Sequence, residues 1–128
     1  MHIANHQHAH STVRRSAFAV LTALLLAAAI AGVHYGTTGW WPFAALLIAP
    51  DLALLLGFGA NLGKGQLHAR AVPFYNAAHS FWGPGLLATA SLVLPAGWLV
   101  AALAWALHVS FDRAMGYGMR TRDGFQRS

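Results

Sequence analysis

The chain has 128 residues, 57% of them hydrophobic and only 9% charged, with a formal net charge of +5 at pH 7. A water-facing surface usually takes about a quarter charged residues, so this balance excludes an ordinary soluble domain and points to a membrane protein. Cysteine is absent, which excludes disulfides, thiolate nucleophiles and cysteine-based zinc sites.

The first stretch, MHIANHQHAHST, carries His2, His6, His8 and His10. Histidine-rich tracts can bind metals. Here no carboxylate accompanies them, so residues 1–15 read as a disordered, solvated cytoplasmic tail rather than the functional site.

Four apolar segments follow: Ser16 to Val33, Trp40 to Ala60, Phe74 to Leu94 and Ala96 to Phe111. Each is near the ~20 residues that cross a ~30 Å hydrocarbon core. In lipid only helices and closed barrels satisfy the backbone, and continuous apolar runs lack the alternation of a barrel strand. The expected fold is therefore all-α, a four-transmembrane-helix bundle over residues 16–119, with a basic cytoplasmic tail at 120–128. In the first segment, Ala28, Gly32 and Gly36 recur at the four-residue spacing that lets helices approach closely. That segment has a rival reading as a cleavable signal sequence, with Arg14 and Arg15 before it and Ala29-Ile30-Ala31 as a cleavage site. The apolar run is longer than a typical signal core, which favours a retained helix.

Charge placement gives the orientation. Arg14 and Arg15 precede the first segment, Lys64 and Arg70 lie between the second and third, and Arg113, Arg120, Arg122 and Arg127 follow the fourth. With four crossings all eight fall on one side, so both termini are expected in the cytoplasm. Because the basic residues sit only in loops and tails, they mark orientation and not a nucleic-acid surface. Trp40, Trp41 and Trp98 belong at the outer interface. The expected partner is the lipid bilayer, with a homo-oligomer left open.

Polar residues within these runs are costly and so are candidates for function. Asp51 lies eleven residues beyond Trp40, roughly at the midplane, directly after Pro50. The proline removes a backbone donor and should kink or open the helix, freeing a carbonyl beside the carboxylate. An isolated carboxylate at that depth must be protonated, paired or metal-bound. In the third segment Asn76, His79 and Ser80 share a face. In the fourth, Trp98, Ala101, Trp105, His108 and Asp112 form one stripe. Asp51, His79, His108 and Asp112 fall in one slab of the inner half of the membrane, where helices packed at ~8–10 Å could bring them together. The bland alternatives are an intrahelical His108–Asp112 pair and an interfacial His79 without a ligand. The aromatics and Gly57, Gly59 and Gly83 read as packing.

The runs APDL at 49 to 52, FYNAAHS at 74 to 80 and WALHVSFDRAMGYGMR at 105 to 120 resemble a bacterial integral membrane family, domain-of-unknown-function family 4260. The resemblance covers roughly residues 16 to 125. It implies Asp51, Tyr75, Asn76, His79, His108, Asp112, Arg113, Gly116, Tyr117 and Gly118 as the polar signature, and a place in the inner membrane. That family ends in a Phe followed by Thr-His-Leu-Gly, whereas here Phe125 is followed by Gln126, Arg127 and Ser128, so its terminal histidine has no counterpart. A fainter resemblance links the Pro-Asp and His-Ser pattern to inner-membrane metal-dependent hydrolases. Neither resemblance names a reaction.

Two classes of function stay open, and whether the protein is an enzyme is open with them. In one, Asp51, His79, His108 and Asp112 bind zinc, manganese or iron to activate water, with Tyr75, Asn76, Ser80, Arg113 and Tyr117 as supporting polar groups. In the other, a non-enzymatic bundle uses the same residues to fix helix packing or to relay protons or a small solute.

Overall fold

The computed structural model describes residues 2–127, with side chains from residue 7 onward. The His2 and His6 side chains of the histidine-rich stretch thus lie outside the described residues. The fold is all-α: α1 (His2–Tyr35), α2 (Trp41–Ile48), α3 (Val72–Ala78), α4 (Trp82–Ala90) and α5 (Gly97–Met115). Two 3-10 helices, Ala49–Gly57 and Ala69–Ala71, complete the described elements, and no strand occurs among them.

α5 is the centre of the fold. Val100, Ala101, Ala102, Ala104, Leu107, Val109 and Ser110 are buried on all its sides, as expected of a helix with neighbours all round. α1 runs antiparallel along it. Arg15 reaches the Ala114 carbonyl, Thr22 Oγ1 meets Ser110 Oγ at 2.9 Å, and Gly32 lies against Val100. These contacts build α1 into the fold. The hydroxyl pair is a polar link between the two helices. Arg15 also closes the orphan carbonyls at the C-terminal end of α5, where a cation is favoured.

Four points differ from the sequence expectations. The histidine-rich stretch is helical, since α1 already begins at His2, although His8 and His10 bury nothing. The close face of α1 is Ala29, Gly32 and Val33 rather than Ala28, Gly32 and Gly36, because Ala29 and Val33 are the buried pair. The second and third apolar segments are not continuous helices. α2 passes into a 3-10 helix at Ala49 beside Pro50, and the third segment breaks at residues 79–81 and restarts as α4, with Pro84 near its start.

The C-terminal segment, fourthly, is no free tail. Arg120 pairs with Gln126 in an isolated antiparallel bridge, and Leu67 N–H donates to the Gly124 carbonyl at 3.0 Å. Gly124 has φ +91°, and a Cβ there would collide with the Leu67 backbone, so only glycine fits. The segment is thereby tied to the loop between the second and third segments.

By length and composition, one helix among the described residues, Gln7–Tyr35 within α1, can cross a membrane unaided. It carries exposed Val20, Leu24 and Ile30. Trp82, Leu86, Leu92 and Val93 are exposed elsewhere, so the outer surface is apolar on several elements.

Two glycines of α4 give opposite predictions. A Cβ on Gly83 would overlap the Trp105 ring, while one on Gly85 meets open space. Gly83→Ala should lower stability by about 1–3 kcal/mol through overpacking, and Gly85→Ala should raise it by about 0.5–1 kcal/mol. Thermal unfolding of both variants in detergent checks the signs; equal shifts would contradict this packing.

Candidate metal centre

The centre begins with helix breaks. In a 3-10 turn the Leu47 carbonyl would accept from residue 50, but Pro50 has no N–H to give. The freed Leu47 carbonyl accepts instead from His108 Nδ1 at 2.8 Å. Across the fold, α3 ends at Ala78, and the Tyr75 carbonyl accepts both the His79 N–H and His79 Nδ1, each at 2.9 Å. A carbonyl only accepts, so Nδ1 carries the hydrogen in both rings. In the neutral imidazoles each Nε2 is then a lone pair.

Those two lone pairs face each other. His79 Nε2 and His108 Nε2 are 3.2 Å apart, and Asp51 Oδ1 lies 3.3 Å from the first and 3.5 Å from the second. Asp112 Oδ2 approaches the same nitrogens at 3.5 and 3.7 Å. Asp51, His79 and His108 form the tight group, with one ligand atom from each inside 4.8 Å of the others. Side-chain exposure grades from 1% for His79 through 10% for His108 and 19% for Asp112 to 51% for Asp51. The centre is closed at His79 and open at Asp51.

Helix α5 also stabilises the broken end of α3. Trp105 Nε1 donates to the Ala78 carbonyl at 2.7 Å, and Arg113 donates to the His79 carbonyl at 2.8 Å. Carbonyls left over by a helix end must find donors when buried, and α5 supplies two from its own face. A second support comes from stacking. The Tyr75 ring lies parallel to His79 with centroids 3.9 Å apart, and the Arg120 guanidinium sits 4.8 Å above Tyr75 on the other side. Asn76 holds Arg120 in place by exchanging two hydrogen bonds with its backbone, at 2.7 and 3.0 Å.

The structure therefore brings Asp51, His79 and His108 together and sets Asp112 beside both imidazoles. Neither bland alternative describes these contacts: His79 is buried rather than interfacial, and His108 meets Asp51 and His79 as well as Asp112. Tyr75, Asn76 and Arg113 act on His79 through stacking, the Arg120 clamp and a carbonyl. Ser80 and Tyr117 do not join. The Ser80 hydroxyl donates to the Ala77 carbonyl in its own turn, and the Tyr117 side chain is exposed while only its backbone is used. Gly116, at φ +93°, closes α5 in a left-handed cap, with Tyr117 N–H on the Asp112 carbonyl at 2.8 Å. Trp105, Arg120 and the Leu47 carbonyl were not singled out from the sequence. Trp105 lay on the His108 stripe and Arg120 closed the longest motif, which were the only signals for them.

The donor set fits a divalent ion. An ion 2.0–2.2 Å from each ligand in a tetrahedron needs ligand separations of about 3.3–3.6 Å. The observed triangle of 3.2, 3.3 and 3.5 Å matches one face of it. Two neutral imidazoles and a carboxylate suit zinc, manganese or iron.

No curated protein and no solved structure matches this chain. A family profile does match, over residues 13–128, with every residue of the centre inside it, and the chain belongs to the family described as Domain of unknown function (DUF4260).

Proposed function

We propose that this is a multi-pass membrane protein whose Asp51, His79 and His108 bind one divalent ion and use it for hydrolysis. The observation that carries the reading is the Nε2–Nε2 approach of 3.2 Å. With both Nδ1 atoms tied to carbonyls, two lone pairs facing each other at that distance repel unless a cation or proton lies between them. Three protein ligands with a fourth position left open is the pattern of catalytic rather than structural sites.

The residues divide the work by their contacts. Leu47 and Tyr75 carbonyls fix the two rings, and Arg113 and Trp105 hold the backbone that carries His79. An ion bound there would polarise a substrate oxygen and ease deprotonation of water. Asp112 Oδ2, beside both imidazoles and 19% exposed, is the carboxylate placed to take that proton. Asp51, on the open side, brings the negative charge that offsets the ion.

The reading includes four crossings of a bacterial inner membrane with both termini cytoplasmic, and the placement of the basic residues supports that part of it. Arg15 donates to a carbonyl at the end of α5, and Arg120 donates to the Gly65 carbonyl next to Lys64, so the three stretches that carry the basic residues meet at one end. Thr38, from one loop without Lys or Arg, meets Gly97, which opens α5 directly after the other, at the opposite end. This is the charge asymmetry of a cytoplasmic face.

Reporter fusions after Gly39 and after Arg122 test the topology. The first should report the periplasm and the second the cytoplasm; an outward C-terminus would remove the orientation.

The ion itself is tested by elemental analysis of the detergent-purified protein after dialysis in chelator-free buffer. About one equivalent is expected. His108→Ala and His79→Ala should each abolish it, because one imidazole is too few neutral donors. Asp112→Asn should keep the ion with weaker affinity, because it removes a negative charge beside both imidazoles and leaves all three ligands and the carbonyls that orient the rings in place. No stoichiometric metal, with stability unchanged on chelation, would instead favour a packing or proton-relay role for the cluster.

A further inference from the structure

We propose that the substrate of this centre is an amphiphile whose hydrocarbon chain lies in the cleft beside it. The proposal rests on the metal reading above. On its open side the cluster borders a cleft of about 520 Å³ between α1, the α2 segment and α5. Leu26, Leu47, Leu107 and Phe111 form its apolar wall. Asp51, His108 and Asp112 lie in the same cleft, so the open side of the centre and the apolar wall share one space.

That juxtaposition decides the ligand class. The volume is in the range of small-molecule sites, so one chain fits where a protein segment does not. A wholly polar substrate would leave four apolar side chains facing water, and a plain hydrocarbon would leave Asp51 and Asp112 desolvated without a partner. A molecule with an oxygen-bearing head and an alkyl chain satisfies both halves. The cleft is flanked by α1, whose exposed Leu24 and Ile30 suit lipid, so such a molecule can arrive from the membrane without passing through water. Phe111 is itself half exposed, placing the mouth of the cleft at the surface.

Straight-chain alkylhydroxamates test this, because the hydroxamate head binds the ion and the chain length can be varied alone. The protein, loaded with one equivalent of Zn²⁺ in detergent, is titrated calorimetrically with acetohydroxamate and decanohydroxamate. Complete burial of a methylene is worth about fourfold in affinity. An open cleft gives less, so a gain of about a hundredfold over eight methylenes is expected. Leu26→Trp fills the cleft from its α1 wall, and Phe111→Ala strips apolar surface from its α5 wall. Each should cut decanohydroxamate affinity by about tenfold or more and leave acetohydroxamate unchanged, the latter also showing that the centre is folded.

A chain-length gain that survives in both variants would overturn the proposal, since the gain would then come from the micelle or another surface. Equal affinities for the two probes in the wild-type protein would overturn it too. In both cases intact acetohydroxamate binding keeps the metal centre. Failure of Zn²⁺ or acetohydroxamate to bind would remove the centre and the amphiphile together.

Discussion

The hydrogen bond from His108 Nδ1 to the Leu47 carbonyl is the link on which the centre depends. It exists because Pro50 cannot donate and the helix tightens at Ala49, so a carbonyl that a regular helix would use is left over. In an apolar setting that carbonyl must be satisfied by another part of the chain. His108 does so, and its Nε2 is thereby turned toward His79 and Asp51. One backbone defect on the second segment thus aligns a ligand on α5 and, next to the proline, delivers the carboxylate that meets it.

The third segment repeats the device with different parts. Ending α3 at Ala78 leaves the Ala78 and His79 carbonyls, and Trp105 and Arg113 take one each. These two residues and His108 project from one helix, so α5 carries one ligand and holds the backbone of the opposing one. The Arg120–Tyr75–His79 stack presses on the other ring, and it is held by Asn76 through the C-terminal segment. The returning segment is therefore part of the support of the centre, far from its position as an expected tail.

Legibility in the sequence followed the range of each interaction. The consequence of Pro50 was readable because a missing N–H is local chemistry, and helix rise placed Asp51, His79, His108 and Asp112 in one slab. The partners of the two Nδ1 atoms were not readable, since a carbonyl looks the same at every position until the fold chooses one. Ala28 could not be told from Ala29 in a helix with small residues on every face. The break after Ala78 was hidden within an apolar run, with Pro84 its only marker. The return of residues 119–127 has no periodicity, and depends on Gly124 fitting against Leu67. The apolar runs themselves were plain, but whether each is one helix was decided by prolines and tertiary donors.

Asp51 separates a structural role from a binding one. A carboxylate kept only to hold helices together gains most when it is closed off and fully paired, because its attraction to a partner is strongest away from water. Here the most buried member of the cluster is a neutral-capable imidazole, His79, while the carboxylate of the tight group is half exposed. Burial thus falls on the groups that tolerate it, and the charge remains where a ligand can reach it. The two rings are restrained by backbone carbonyls, so they cannot turn apart to relieve their 3.2 Å approach. Rigid nitrogen donors on the closed side and an accessible carboxylate on the open side give the centre a direction. An ion held by these three residues would be reached from the cleft that Leu26 and Phe111 line.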